Sequence, residues 1–148
     1  LKSLYMETTT ISMDRTAQEI VLVLVQAGAT NVNQQYENRK LIGLRWTMNM
    51  RGREVPFEMP ARVNPVYAML KKRSGARQKD ILIREQAERV AWRQLLRWVQ
   101  AQTAMIETGM VEPAEVFASY ISTPTGTLYQ CLSEGKIRGY LPAPLEAS

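Results

Sequence analysis

Thirty consecutive positions, Asp80 to Gly109, contain no proline and no glycine before the last residue, and their apolar residues recur at helical spacing. A helix of that length is about 45 Å long. A chain of 148 residues must spend much of its remaining apolar surface covering it. At about 100° per residue, Ala87, Ala91, Leu95, Trp98, Val99, Gln102, Met105 and Ile106 share one side. Arg89, Arg93 and Arg97 fall opposite, rising about 6 Å per step as a ladder. Glu85 precedes Arg89 by four residues, a favourable helical pair, whereas Arg93 and Arg97 have no acid at that spacing. Trp92 and Leu96 border the ladder, either as core at the edge of the stripe or as a partly exposed apolar strip.

The preceding residues predict a small sheet and two further helices. Leu4 to Ile11, rich in threonine, reads as a strand. Asp14 can cap a helix running to Ala27, Thr16 and Glu19 have capping-box spacing, and Gly28 supplies the left-handed end. Ile20, Val23, Leu24 and Ala27 form its apolar face, and Val21, Leu22 and Val25 widen that face toward deep burial. Asn31 to Tyr36 is a strand, Glu37 to Lys40 a turn, and Leu41 to Met50 a strand with Ile42, Leu44, Trp46, Met48 and Met50 on one face. Arg51 and Gly52 turn the chain into a returning strand with Val55, Phe57 and Met59, which Pro56 and Pro60 place at a sheet edge. Asn64 and Pro65 start a short helix over Val66 to Lys72, and Lys71 to Lys79 is a basic flexible loop. Glu112 and Pro113 begin a helix carrying Phe117, Thr127 to Glu134 is a short capped helix, and Ile137 to Leu145 is an extended docking segment.

These elements predict an α+β fold, a small antiparallel sheet against one long helix plus short helices, in a single domain over residues 1–148 with a packing tail from about residue 122. The order helix, three strands, helix follows that of double-stranded RNA-binding domains, although the final helix is about twice the length that fold implies and its signature motif is missing.

Charge is distributed unevenly. Between Arg39 and Arg97 lie 15 of the 19 cations and five of the 14 acids, giving that region a net charge of +10 against −5 for the remainder. Such a basic region suits a polyanion. The candidate nucleic-acid contacts are Lys71, Lys72, Arg73, Arg77 and Lys79 of the loop, Arg89, Arg93 and Arg97 of the ladder, and Arg45, Arg51 and Arg53 of the hairpin. Trp92 or Tyr67 would stack on bases where exposed. Arginine and lysine on phosphates position a strand without reading its sequence, so low specificity is expected. Two alternatives stand beside this. The arginines could be solvated and paired with acids brought from elsewhere in the fold, or the basic face could meet an acidic host or defence protein. A homodimer through the apolar stripe is compatible with either partner.

Catalytic signatures are sparse. Without histidine the chain lacks the commonest general base and the usual nucleophile pairs. The acids are scattered, and no phosphate-cradling glycine motif occurs. A non-enzymatic protein needing no cofactor or metal is therefore expected. Cys131 stands alone, which excludes an intramolecular disulfide. No apolar run exceeds Ile20 to Val25 and Leu1 to Met13 lacks a secretory pattern, so no membrane association and a cytoplasmic location are expected.

Met6 to Thr10, Arg15 to Ile20 leading to Gly28-Ala29, Glu85 to Arg93 with Trp98-Val99, Glu115 to Phe117, and Leu141 to Pro144 together resemble a family of small bacteriophage and mobile-element proteins without an assigned activity. The resemblance implies a phage-type intracellular protein and Met6 as the natural start, with Leu1 to Tyr5 an upstream extension. It supplies no site residues.

Overall fold

A computed structural model describes residues 2–75, 77–137, 139 and 142–143. The fold is α+β, with a three-stranded antiparallel sheet ordered β1-β2-β3 and helices on one of its faces. The elements are α1 (Met13–Gln26), β1 (Thr30–Glu37), β2 (Lys40–Met50), β3 (Arg53–Pro60), α2 (Val63–Ser74) and α3 (Asp80–Glu107). After them come α4 (Pro113–Phe117), a 3-10 turn over Ala118–Tyr120, a two-residue hairpin of β4 (Ser122–Thr123) with β5 (Gly126–Thr127), and α5 (Leu128–Ser133).

Both main hairpins close in the same way. Asn38 and Arg39 have φ of 50° and 65°, and Arg51 and Gly52 have 52° and 82°. Two-residue loops with both residues left-handed match the twist of the flanking strands. The β2–β3 register is unbroken from Met50↔Arg53 to Gly43↔Pro60, which turns Leu44, Trp46 and Met48 inward opposite Met59, Phe57 and Val55. The β1–β2 pairing slips at Ile42, between Gln35↔Gly43 and Tyr36↔Leu41. That extra residue resets the alternation. Leu41, not Ile42, is buried, and Ile42 turns outward at 40% exposure, against the expected pattern. β3 lies at an edge, as its prolines require, with Phe57 bridging to Ile121.

The inner face of the sheet meets Ala17, Ile20 and Leu24 of α1 and Trp92, Leu96 and Val99 of α3, with Phe117 of α4 closing the aromatic end. A separate cluster of Leu70, Ile83 and Ala87 joins α2 to the first half of α3.

α1 begins from Ser12, whose hydroxyl accepts from the Arg15 amide at 3.2 Å, rather than from Asp14. Thr16 lies within the helix and is fully buried, so the capping-box pair does not form. At the far end the Ala29 amide reaches the Leu24 carbonyl at 2.9 Å across Gly28, at φ 102°, a Schellman closure. Burial of α1 is one-sided. Leu22 and Val25 are 63% and 51% exposed because α3 and the sheet occupy only the face through Ile20 and Leu24.

The expected strand at Leu4 to Ile11 is not formed. Met6 adopts φ 66° and the segment turns at 5–8. Its carbonyls are taken by glutamines of α3 instead of a β ladder. Gln86 Nε2 donates to the Glu7 and Thr9 carbonyls at 2.8 and 2.9 Å, and Gln94 Nε2 donates to Tyr5 at 2.9 Å. α2 starts three residues earlier than predicted, which moves Pro65 deeper into a first turn where its missing N–H still costs nothing. The expected tail over Ile137 to Leu145 lies largely outside the described residues.

Gly43 of β2 leaves no room for a side chain against β3. A Cβ there would stand 2.6 Å from the Met59 carbonyl oxygen and 3.1 Å from Pro60 Cα, both backbone atoms. Gly43→Ala is therefore expected to destabilise the fold by about 1–3 kcal/mol, read as a lowered urea midpoint. A midpoint equal to that of the parent chain would contradict this register.

Candidate nucleic-acid interface

The predicted basic loop is half helix. Lys71, Lys72, Arg73 and Ser74 form the last turn of α2, Gly75 ends it at φ 60°, and Arg77 to Lys79 lead into α3, with Ala76 outside the described residues. Lys71 Nζ donates to Asp80 Oδ1 at 2.8 Å and to the Tyr67 hydroxyl at 3.1 Å, and that hydroxyl donates to the same Asp80 oxygen. These contacts tie the last turn of α2 to the first residue of α3. The Lys71 ammonium, then the Tyr67 hydroxyl, hold the Asp80 carboxyl below its ordinary range. A depressed carboxylate stabilises the fold above its unfolded value, and that contribution is lost as pH falls through the lower folded value.

Arg73 turns inward. Its Nε lies 3.5 Å from Glu7 Oε1 and its Nη2 donates to the Lys2 carbonyl at 2.6 Å, so it staples the N-terminal segment to α2. Lys72, Arg77 and Lys79 are exposed and, among the described residues, meet no carboxylate. They form a basic tip where α2 hands over to α3.

The arginine ladder is not a solvated face. Val90, Ala91, Trp92 and Arg93 are four consecutive buried residues, so at that level α3 has no side open to solvent. The expectation of one stripe opposite one polar face assumed a helix packed on a single side. Here α1 and the sheet cover one flank of α3, and α2 with the N-terminal segment covers the other. Arg93 is 8% exposed and donates to Glu19 Oε2 at 2.6 Å and Thr16 Oγ1 at 3.4 Å, an acid brought from α1. Arg89 donates through Nε and Nη2 to Gln86 Oε1 at 2.9 and 2.8 Å. Arg97 alone of the three is exposed, with a 3.1 Å bond to Gln100 Oε1. Trp92 and Leu96 are wholly buried core, so Trp92 offers no face to a base. Tyr67 is covered in turn, with the Arg84 guanidinium 4.0 Å from its ring centre.

The hairpin cations lie elsewhere. Arg45 is on the outer face of the sheet opposite Glu58, and Arg51 pairs with Glu112 at 3.1 Å. Arg53, also exposed, sits beside Arg51 at the turn. Lys40, at the other end of β2, is pinned to Glu88 of α3 at 2.6 Å. Eleven strand residues separate the two ends by roughly 33 Å. The predicted contacts are thus divided among a tip, a buried level of α3 and the far end of the sheet. Arg62 and Arg84, which the sequence pattern did not single out, stand with Lys40 around a cavity. The Arg84–Tyr67 stack across two helices leaves no spacing signal in the chain.

The chain matches no protein-family profile, no curated protein and no solved structure. Among the described residues no helix is long and apolar enough to cross a membrane.

Arg93→Ala is expected to lower stability by about 2–3 kcal/mol, at or below the low end for a broken buried pair because Glu19 is a third exposed and can hydrate. Arg97→Ala should stay within about 0.5 kcal/mol. Chemical denaturation of the two variants side by side checks this, and equal midpoints would restore the solvated ladder.

Proposed function

We propose that the chain is a non-catalytic nucleic-acid-binding protein of low sequence specificity, and that the basic tip between α2 and α3 carries the contact. The supporting observation is the set of exposed cations Lys72, in the last turn of α2, and Arg77 and Lys79, on the short connection to α3, whose adjoining acid, Asp80, is already taken by Lys71. Exposed lysine ammoniums and an arginine guanidinium on flexible stems suit phosphate oxygens. With Trp92 buried and Tyr67 under Arg84, base stacking has no platform at the tip, which favours backbone contact over readout of unstacked bases.

A second reading draws on a different observation. Met69, Ile81 and Leu82 are 47%, 57% and 46% exposed in the same two helix ends. Apolar residues with cations at their rim also suit an acidic protein surface.

Fluorescence anisotropy of a labelled duplex across a salt series separates the two. Three phosphate contacts give a log-log slope of about −2.7, and the charge reversal K72E/R77E/K79E should abolish binding. Arg89→Gln, more than two turns from the tip and at a side chain already held by Gln86, should leave it unchanged. Absence of duplex and single-strand binding at about 50 mM salt would overturn the nucleic-acid reading and leave the acidic protein.

A further inference from the structure

A cavity of about 520 Å³ opens between the start of β2, the β3–α2 junction and the second turn of α3. Its size is that of a small-molecule site. Three cations, Lys40, Arg62 and Arg84, line it with one acid, Glu88. The acid is neutralised locally, since Lys40 Nζ lies 2.6 Å from Glu88 Oε1.

Arg84 is the best-prepared of the three. Its guanidinium stacks on Tyr67 at 4.0 Å, and Nη1 donates to Asn64 Oδ1 at 3.2 Å. Ring and amide together fix the plane of the fork while using one of its five N–H donors. Among the described residues no carboxylate pairs with it. Arg62 is held by the Tyr129 ring at 5.7 Å. A guanidinium held in plane at the wall of a cavity, as Arg84 is, is suited to a planar or tetrahedral oxyanion, because little side-chain freedom remains to be lost on binding, and the exposed Arg62 adds a second cation at the same wall. The same wall carries Ile42, turned outward by the β-bulge, and Pro65, which form an apolar ledge. The first turn of α2 also borders the space, without a side-chain cap or an acid in that turn, and adds to the favourable field.

We propose that this cavity binds a phosphate monoester, with the dianion on Arg84 and Arg62 and the carbon part of the ligand on Ile42 and Pro65. A carboxylate monoanion would leave the net charge of the wall half compensated, whereas a dianion matches three cations against one acid. The ester has two sources, a free mononucleotide or the 5′-phosphate end of a nucleic-acid strand. The cavity shares no lining residue with the basic tip, so the two can be varied separately.

Calorimetric titration with adenosine 5′-monophosphate, and with adenosine as the control, tests the site. The monophosphate should bind and adenosine should not. Arg84→Gln should weaken the monophosphate at least tenfold, as loss of a charge-assisted contact implies. The second variant, Arg62→Gln, lies in the junction before α2 and should also weaken it, which keeps the test open if Arg84→Gln fails to fold by circular dichroism. The tip variant K72E/R77E/K79E should retain monophosphate affinity within about twofold. A gain in affinity of a short oligonucleotide on 5′-phosphorylation identifies the strand end as the source, and no gain while the mononucleotide binds identifies the free ester. Equal binding of adenosine, no binding of the monophosphate at millimolar concentration, or an affinity unmoved by both arginine variants would overturn the proposal.

Discussion

The buried level of α3 at Val90 to Arg93 is the constraint on which the other packing choices rest. Four successive helical residues sweep about 300°, so elements must approach from nearly every direction to bury them all. One of the four is an arginine, and a buried guanidinium needs a partner. Glu19 supplies it at 2.6 Å from the second half of the first turn-pair of α1, and Thr16 supplies a second acceptor one turn earlier. That contact fixes how α1 slides along α3. Ile20, next to Glu19, and Leu24, one turn on, are then delivered to the sheet beside Trp92 and Leu96. The ion pair comes at the cost of desolvation and of an Arg93 Nε–H left without an acceptor.

The N-terminal segment follows from the same arrangement. With its flank toward Gln86 and Gln94 open, α3 needs cover there, and these two glutamines stand two turns apart on one face. Their amides capture the carbonyls of Tyr5, Glu7 and Thr9, while Arg73 takes Lys2 and Glu7. The segment is thereby held by side chains reaching out from helices, and needs no strand partner to satisfy its backbone.

What the sequence disclosed and what it concealed divide along this line. The hairpin of β2 and β3 was legible because period-two alternation and a two-residue turn are local signals, and the length of α3 was legible because nothing in it breaks a helix. The strand assigned to Leu4 to Ile11 failed because its threonines report β-propensity, and a segment clasped by Gln86 and Gln94 answers to its surroundings instead. The ladder failed for a related reason. Periodicity on one helix gives the directions of Arg89, Arg93 and Arg97, yet the number of neighbours that helix has is a property of α1 and α2. Leu22 and Val25 misled in the opposite sense, since an apolar all-round helix reads as buried while α1 is covered on one side only. Of the candidate interface, the clustering of cations at residues 71–79 was visible, whereas the inward turn of Arg73 and the Lys71–Asp80 tie depend on how two helix ends meet.

The tip itself contains a test of whether its cations need a partner. The C-terminal end of a helix carries a partial negative charge, and Lys71, Lys72 and Arg73 in the last turn of α2 complement it. Their presence is explained by the fold, because Lys71 also ties Asp80 and Arg73 also holds Glu7 and the Lys2 carbonyl. Arg77 and Lys79 are placed differently. They precede α3, where the dipole is positive, and the one acid of its first turn is bound by Lys71. Lys79, at the N-cap, is mildly unfavourable there in the free protein, and Arg77 lies just beyond it. An approaching phosphate reverses the sign, because it meets the two side chains and the helix start together. The excess positive charge of the tip therefore belongs to Arg77 and Lys79, and it is their position, more than the number of cations around them, that folding leaves unaccounted for.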